Sequence, residues 1–504
     1  MIYLDNAATT RPCPAALDAM RTALEDAWGN PSALYRPGQQ ARKLVEDARR
    51  TVARVLHAAR PAEITFTSGG TESDVQALYT GAALGAAAGK RHIISTQIEH
   101  HAVLHTLQAL QTQGFTVTLL PPSAAGLITP QQLADALQPD TCLVSIMFAN
   151  NEIGTVQPIA ELGALCQERG ALFHTDAVQA AGHLAIDVQT TNIDLLSLSG
   201  HKFHGPKGAG ALYTRRGIAL QNVLYGGGQE RGHRAGTENV PAIAGLAAAL
   251  AQADANLPAN TARCLDLRQR LTERLLAIPG THLNGDAAQR LPGNVNIAFD
   301  GVEAETLLLL LDEAKICASA GSACSAGAVD PSHVLLALGL TPAQAKSTLR
   351  LTLDAANTAA QRLFERPHDE KREKPARQAV EKRHRLPSEQ TPEAHPDEHR
   401  PKRPRGPHPE KRQHRKHIAE SRLDPGNRSQ RRQLRLDHKN HQPRRRQKCG
   451  QRELSELFHG RLLPPATASA LSSLTSSRKR ITSRFGRQMI GSLPDTRYPC
   501  ATQT

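Results

Sequence analysis

Aromatic residues are scarce: nine Phe, six Tyr and one Trp make up 3% of the 504 residues. A chain this poor in flat side chains has little with which to stack nucleic-acid bases. Its eight cysteines, at positions 13, 142, 166, 264, 317, 324, 449 and 500, include no C-x-x-C pair. That spacing argues against a zinc site or a disulfide framework and for a reducing compartment. No run of about 18 uninterrupted apolar residues occurs, so no segment reads as a membrane-spanning helix. The first residues, MIYLDNAATTR, lack the basic and then apolar order of a secretion signal. The expectation is a soluble cytoplasmic protein without membrane contact.

Charge is present but unevenly placed. Residues 361–504 carry 35 Lys and Arg against 16 Asp and Glu, so the formal +14 of the whole chain resolves into +19 there and −5 over residues 1–360. The same tail is poor in core-forming residues, with 13 of the apolar set between 361 and 450. So few cannot offset the ordering entropy of a packed domain, and disorder is expected.

Residues 1–360 read differently. Apolar strands are legible at 63–67, 92–95, 116–120, 142–148, 171–175 and 195–198, with helical stretches between most of them. The alternation predicts an α/β fold with a mainly parallel sheet covered on both faces. Ligands in such folds gather at the carboxyl ends of strands. The polar clusters fall at those ends: Glu99-His100-His101, Asn150-Asn151-Glu152, Asp176 with Gln179, and Ser199 to Lys202.

Each cluster has an ordinary reading beside a chemical one. Ser68-Gly69-Gly70-Thr71-Glu72 joins a strand to a helix; it is either a capped turn or an anion cradle of free N–H groups at a helix N-terminus. Asp176 either caps the next helix or pairs with a cationic ring nitrogen. His100 either satisfies a local hydrogen bond or lies against a flat ligand. Lys202, between a strand end and a Gly/Pro-rich turn, is either a surface lysine or an amine that condenses with a carbonyl. The Asp5 to Thr10 turn, small and hydrogen-bonding, has an ordinary explanation in local backbone bonding.

Beyond the Ala/Leu-rich helix at 241–255 lies a smaller α+β unit with extended segments at 294–299 and from 318 onward, a helix over 303–313 and a final strand at 348–353. Its stretch ASAGSACSAG sets Cys324 among small residues only, a segment unsuited to core packing and suited to a nucleophile that travels. Cys317, in an apolar run, reads as a small buried hydrophobe.

Together the stretches YLDNAATT, ITFTSGGTESD, IEHHAVL, VSIMFANNEIGTVQP, HTDAVQAAG, LSLSGHKFHGPKG, GGGQERGHRAGTEN, LNGD, GSACSAG and LRLTL resemble the cysteine desulfurases of the NifS/IscS type, in family order over residues 1 to about 358. The resemblance implies the aspartate-aminotransferase fold (fold type I), with a large domain over 13–257 and a small one formed by 1–12 and 258–360. It implies pyridoxal 5'-phosphate as cofactor, L-cysteine as substrate, a homodimer, and a scaffold or carrier protein as sulfur acceptor for iron–sulfur cluster or other thio-cofactor assembly. It assigns Lys202 to the cofactor's Schiff base and to proton transfer, Asp176 to the ring nitrogen, Gln179 to the ring hydroxyl and His100 to the ring face. Gly70, Thr71, Ser199 and His201 hold the phosphate, with Thr237 from the other subunit. Asn151 and Arg350 bind the substrate carboxylate, and Cys324 attacks the sulfur. A selenocysteine lyase or other C–S lyase on the same scaffold is the alternative enzyme. Tyr35, Val75 and Phe148 depart from residues common among the relatives, and none of them carries an assigned role.

The tail does not continue this pattern. After residue 360 the text turns to Arg, Pro, His and Gln, and helical periodicity is lost. A shift of reading frame explains so abrupt a change inside a family motif. A regulatory extension and a basic tail binding nucleic acid on a catalytically impaired protein are the competing explanations.

Overall fold

A computed structural model of the chain describes residues 1–320 and 330–358. Cys324 and the basic tail lie outside the described residues. The chain opens with a two-residue strand, β1 (Ile2–Tyr3), and two helices, α1 (Pro14–Asp26) and α2 (Arg36–Val55). Each helix has a proline in its first turn, where the missing N–H has no intrahelical partner to lose.

Seven strands follow in the main sheet: β2 (Ile64–Thr67), β3 (His92–Thr96), β4 (Thr116–Leu120), β5 (Thr141–Ser145), β6 (Leu172–Asp176), β7 (Leu195–Ser199) and β8 (Gly210–Thr214). Their order is β2-β8-β7-β6-β5-β3-β4. The five from β4 to β7 run parallel, and β8 lies antiparallel between β7 and β2. Helices α3 (Gly70–Ala87), α4 (His101–Gln111), α5 (Pro130–Ala136) and α6 (Ile159–Arg169) connect the parallel strands. Strands β3, β5, β7 and β8 are buried along their whole length, as a sheet covered on both faces requires. Contact with α3 is especially close: a Cβ at Gly85 would collide with the Cys142 side chain.

Two long helices, α7 (Val240–Ala255) and α8 (Leu257–Leu276), lead to β9 (Thr281–Leu283), β10 (Asn294–Phe299), α9 (Ala304–Glu313), β11 (Ile316–Cys317), α10 (His333–Ala337), α11 (Pro342–Lys346) and β12 (Thr348–Thr352). β10 is the centre of an antiparallel sheet, β12-β10-β9, while β1 pairs in parallel with β11. The largest apolar cluster joins α1, α2 and α7 to one face of the main sheet. A second gathers Leu271, Leu275, Val295, Ile297, Phe299, Leu307, Leu311, Leu349 and Leu351 around Leu4, so the N-terminal strand is part of the C-terminal core.

Two elements differ from the reading of the sequence. β8, which follows a Gly/Pro-rich turn, is not distinguishable from a loop in the sequence, because so short a run shows no period. The strand expected over 142–148 stops at Ser145, although Ile146 and Phe148 still donate their N–H groups to the carbonyls of His174 and Asp176. The mainly parallel sheet is as expected.

Candidate active site

The polar clusters do meet at the carboxyl ends of the parallel strands. Lys202 sits in the single 3₁₀ turn, Gly200–Lys202, that follows β7. Its Nζ donates to the carbonyls of Ala7 at 2.7 Å and Ala8 at 2.9 Å. Gln179 Nε2 donates to the same Ala7 carbonyl at 3.0 Å. Thus the Asp5 to Thr10 turn is no ordinary local turn: its carbonyls face outward to residues from the sheet end. Thr9 Oγ1 is 3.2 Å from His201 Nδ1, and the Thr10 N–H donates to the His201 carbonyl at 2.8 Å. Small residues in DNAATT permit that close approach, and they are the signal the sequence offers.

Asp176, the last residue of β6, is buried and accepts the Val178 N–H at 2.9 Å. Burial raises its pKa, against the opposing pull of His100 and Lys202. A buried carboxylate in this position favours a cationic partner. The local hydrogen bond considered for His100 is present. As N-cap of α4, its Nδ1 accepts the Ala102 N–H at 3.1 Å, which leaves the proton of the neutral ring on Nε2. Burial lowers its pKa and keeps the ring neutral.

The turn from Gly69 into α3 lies against Ser199 at the end of β7. The first N–H groups of α3 have no intrahelical acceptors, and Ser199 lies buried across from them. A Cβ at Gly70 would stand 2.6 Å from Val178 Cγ2 and 3.6 Å from Ser199 Cβ. Glycine there keeps the backbone of Gly70 and Thr71 close to Ser199. His201 has its pKa pushed down to about 4, chiefly by burial and then by Lys202 and Lys207, so its ring is neutral. Thr237 lies exposed in the loop before α7.

Arg350, on β12, is buried. It donates through Nη1 to the Asn151 carbonyl at 3.1 Å and through Nη2 to Asp5 Oδ1 at 2.9 Å. The turn that presents Asn151 is held by its neighbour: Asn150 Oδ1 accepts the N–H groups of Glu152 and Ile153, and Asn150 Nδ2 donates to the Ile98 carbonyl at 2.9 Å.

Beneath these groups lies a buried polar layer that strand patterning does not distinguish. His174 bridges Ser145 Oγ at 2.9 Å and Ser197 Oγ at 3.0 Å, and burial pushes it down to about 3. Asp74 and Glu99 are buried too. Desolvation raises both, with Asp176 adding repulsion, and takes Glu99 to about 8. Glu99 Oε1 accepts from Thr96 Oγ1 at 2.7 Å and from the Met147 N–H at 3.0 Å. Burial thus pushes Asp74, Glu99 and Asp176 all upward, side by side at the sheet end.

The family model described as aminotransferase class-V matches residues 2–361. The chain belongs to the class-V aminotransferase family. It is 51% identical over 358 residues to the cysteine desulfurase IscS of Methanosarcina thermophila, a match covering 71% of this chain and 88% of that relative. Among solved structures, a NifS-like protein superposes with a TM-score of 0.66 at 37% identity, over 71% of this chain and 94% of the other. A structure described as SspA in complex with cysteine gives 0.63 at 38% identity, over 71% and 100%. This class-V enzyme depends on pyridoxal phosphate. Its residues fit that group: the cradle at Gly70 and Ser199 suits a phosphate, buried Asp176 suits a protonated pyridine, and the Lys202 amine suits the aldehyde.

Proposed function

We propose that this class-V enzyme takes sulfur from L-cysteine, releases L-alanine and carries the sulfur as a persulfide on Cys324. The observation that carries the reading is the convergence, around the Asp5 to Thr10 turn, of an amine (Lys202) and a buried guanidinium (Arg350) beside a buried carboxylate (Asp176). The guanidinium suits the carboxylate of an α-amino acid, and the amine suits attachment of the cofactor that would take up its amino group.

Bound pyridoxal phosphate supplies an electron sink for the carbon that carries the amino group. Asp176 would keep the pyridine nitrogen protonated and Gln179 would bond to the ring hydroxyl. His100 would cover the ring, and Gly70, Thr71, Ser199 and His201 would hold the phosphate. Arg350 and Asn151 orient the carboxylate. Lys202 Nζ removes the proton from Cα. The Cys324 thiolate then bonds to the substrate sulfur; the Cβ–S bond breaks, its electron pair stays with the carbon, Cβ takes up a proton, and Lys202 returns the proton to Cα to give alanine.

The working form is a homodimer. Exposed Trp28, Leu34, Tyr35 and Tyr225 supply apolar surface, and exposed Thr237 is available to the partner's phosphate. A scaffold or carrier protein then accepts the sulfur for iron–sulfur cluster or other thio-cofactor assembly. The test is to treat purified, cofactor-loaded enzyme with L-cysteine, measure alanine, and analyse the peptide containing Cys324 by mass spectrometry. Alanine with an added sulfur on Cys324 supports the reading; alanine with sulfur on another cysteine, or no alanine, overturns it.

A further inference from the structure

We propose that Asp5 tunes the substrate-carboxylate site by competing with the substrate for the guanidinium of Arg350. The proposal rests on Arg350 as the group that receives the carboxylate. Asp5 is then a positioning and selectivity residue, supplied by the N-terminal segment.

The geometry is specific. Asp5 Oδ1 lies 2.9 Å from Arg350 Nη2; the Arg350 side chain is 3% exposed and the Asp5 side chain 19% exposed. Asp5 is therefore the wetter partner and Arg350 the anchored one. Arg350 Nη1 is held on the Asn151 carbonyl, and the Arg350 backbone pairs with Ser319 on its other side. The guanidinium plane is thus set before any substrate arrives.

Asp5 has little freedom to step aside. Its residue forms a bridge with Thr352, two positions beyond Arg350 on β12. The next residues are stitched to the same place: Asn6 Nδ2 donates to the Thr352 carbonyl at 2.8 Å and the Ala7 N–H to Thr352 Oγ1 at 2.9 Å. One turn further, the carbonyls of Ala7 and Ala8 hold Lys202 Nζ. A single short segment therefore fixes both the amine and the guanidinium, Asp5 at one end and Ala8 at the other.

A guanidinium carries one positive charge spread over a planar fork of donors. A second carboxylate arriving on it finds that charge already neutralised, and it meets a like charge a few ångströms away. Like charges at such separations disfavour one another strongly where water is excluded. Asp5 thus weakens carboxylate binding in general. It also keeps a buried cation paired when no amino acid is bound, and favours ligands whose amine and carboxylate bind together.

Asp5→Asn tests this, because the amide oxygen still accepts from Nη2 while the charge is gone. The enzyme loaded with cofactor should show a KM for L-cysteine lower by about three- to tenfold, with kcat changed less. Equilibrium binding of L-alanine, followed by the cofactor absorbance, should tighten by a similar factor. Binding of cysteamine, which has the amine and thiol but no carboxylate, should not tighten. A KM that stays or rises, or cysteamine tightening equally, overturns the proposal. If Asp5→Asn does not fold, Asp5→Ser also removes the charge and carries the same expected signs. Arg350→Ala separates the two layers. If it leaves the preference for L-cysteine over cysteamine intact, the reading of Arg350 itself is wrong; if it abolishes that preference while Asp5→Asn tightens nothing, only the role of Asp5 is wrong.

Discussion

Lys202 donates its Nζ to the carbonyl of Ala7, 195 positions earlier in the chain, at 2.7 Å. The same N-terminal segment contributes Leu4 to the second apolar core and Asp5 to Arg350. The site therefore depends on a short N-terminal segment clamped between two sheets, and its chemistry and its folding are linked there. Replacing Thr352 by Val removes the hydroxyl that accepts the Ala7 N–H at 2.9 Å, leaving a buried donor unpaired. The expected cost is about 1–3 kcal/mol of stability, read from a denaturant titration. The KM for L-cysteine should rise with it; a loss of stability with no change in KM would separate the clamp from the site.

Gly70→Ala should weaken cofactor binding. Its Cβ would stand 2.6 Å from Val178 Cγ2, so the α3 N-terminus has to move away from Ser199. The measurement is the dissociation constant of pyridoxal phosphate, expected to rise on the order of tenfold, which corresponds to about 1.4 kcal/mol. An unchanged constant would mean that the phosphate does not sit against Gly70.

His100→Asn separates the two uses of one side chain. Asparagine is a good N-cap, so α4 should keep its start and the protein its stability within about 1 kcal/mol. The ring proposed to lie against the cofactor is lost. The rate of alanine formation should drop on the order of a hundredfold, while thermal unfolding stays near that of the parent. Equal loss with Asn and Ala in unfolding experiments would make the residue chiefly structural.

Glu99→Gln addresses the buried layer. The folded pKa of Glu99 is raised to about 8 from an ordinary 4.5, so the folded state holds a proton that the unfolded state releases. Its stabilising contribution is complete below about 4.5 and is lost as pH rises toward 8. The amide of the Glu99→Gln variant cannot titrate. Relative to that variant, the parent should lose on the order of 1 kcal/mol of stability per pH unit across that window. Parallel stability curves for the two proteins would show that Glu99 does not carry the proton.

Much of this arrangement is legible in the sequence because strand periods locate the strand ends. His100, Asp176 and Lys202 stand out as polar residues at or just beyond the ends of apolar runs, and a parallel sheet brings such residues together. The Asp5 to Thr10 turn cannot be placed that way. Its contacts to Lys202, Gln179, His201 and Arg350 cross most of the chain, and no local pattern encodes a partner at that distance. Buried Asp74 and His174 are equally hidden, since a titratable residue in a strand or helix shows its burial only once the layers are assembled. The reading of Cys324, among residues outside those described, stands on its sequence neighbourhood and on the family.

The most direct test of sulfur transfer through Cys324 is alanine formation by cofactor-loaded Cys324→Ala when given L-cysteine. The parent enzyme should release alanine at once, and the variant should bind pyridoxal phosphate as tightly while releasing none above background. Alanine released by Cys324→Ala at the parent's rate would contradict the mechanism.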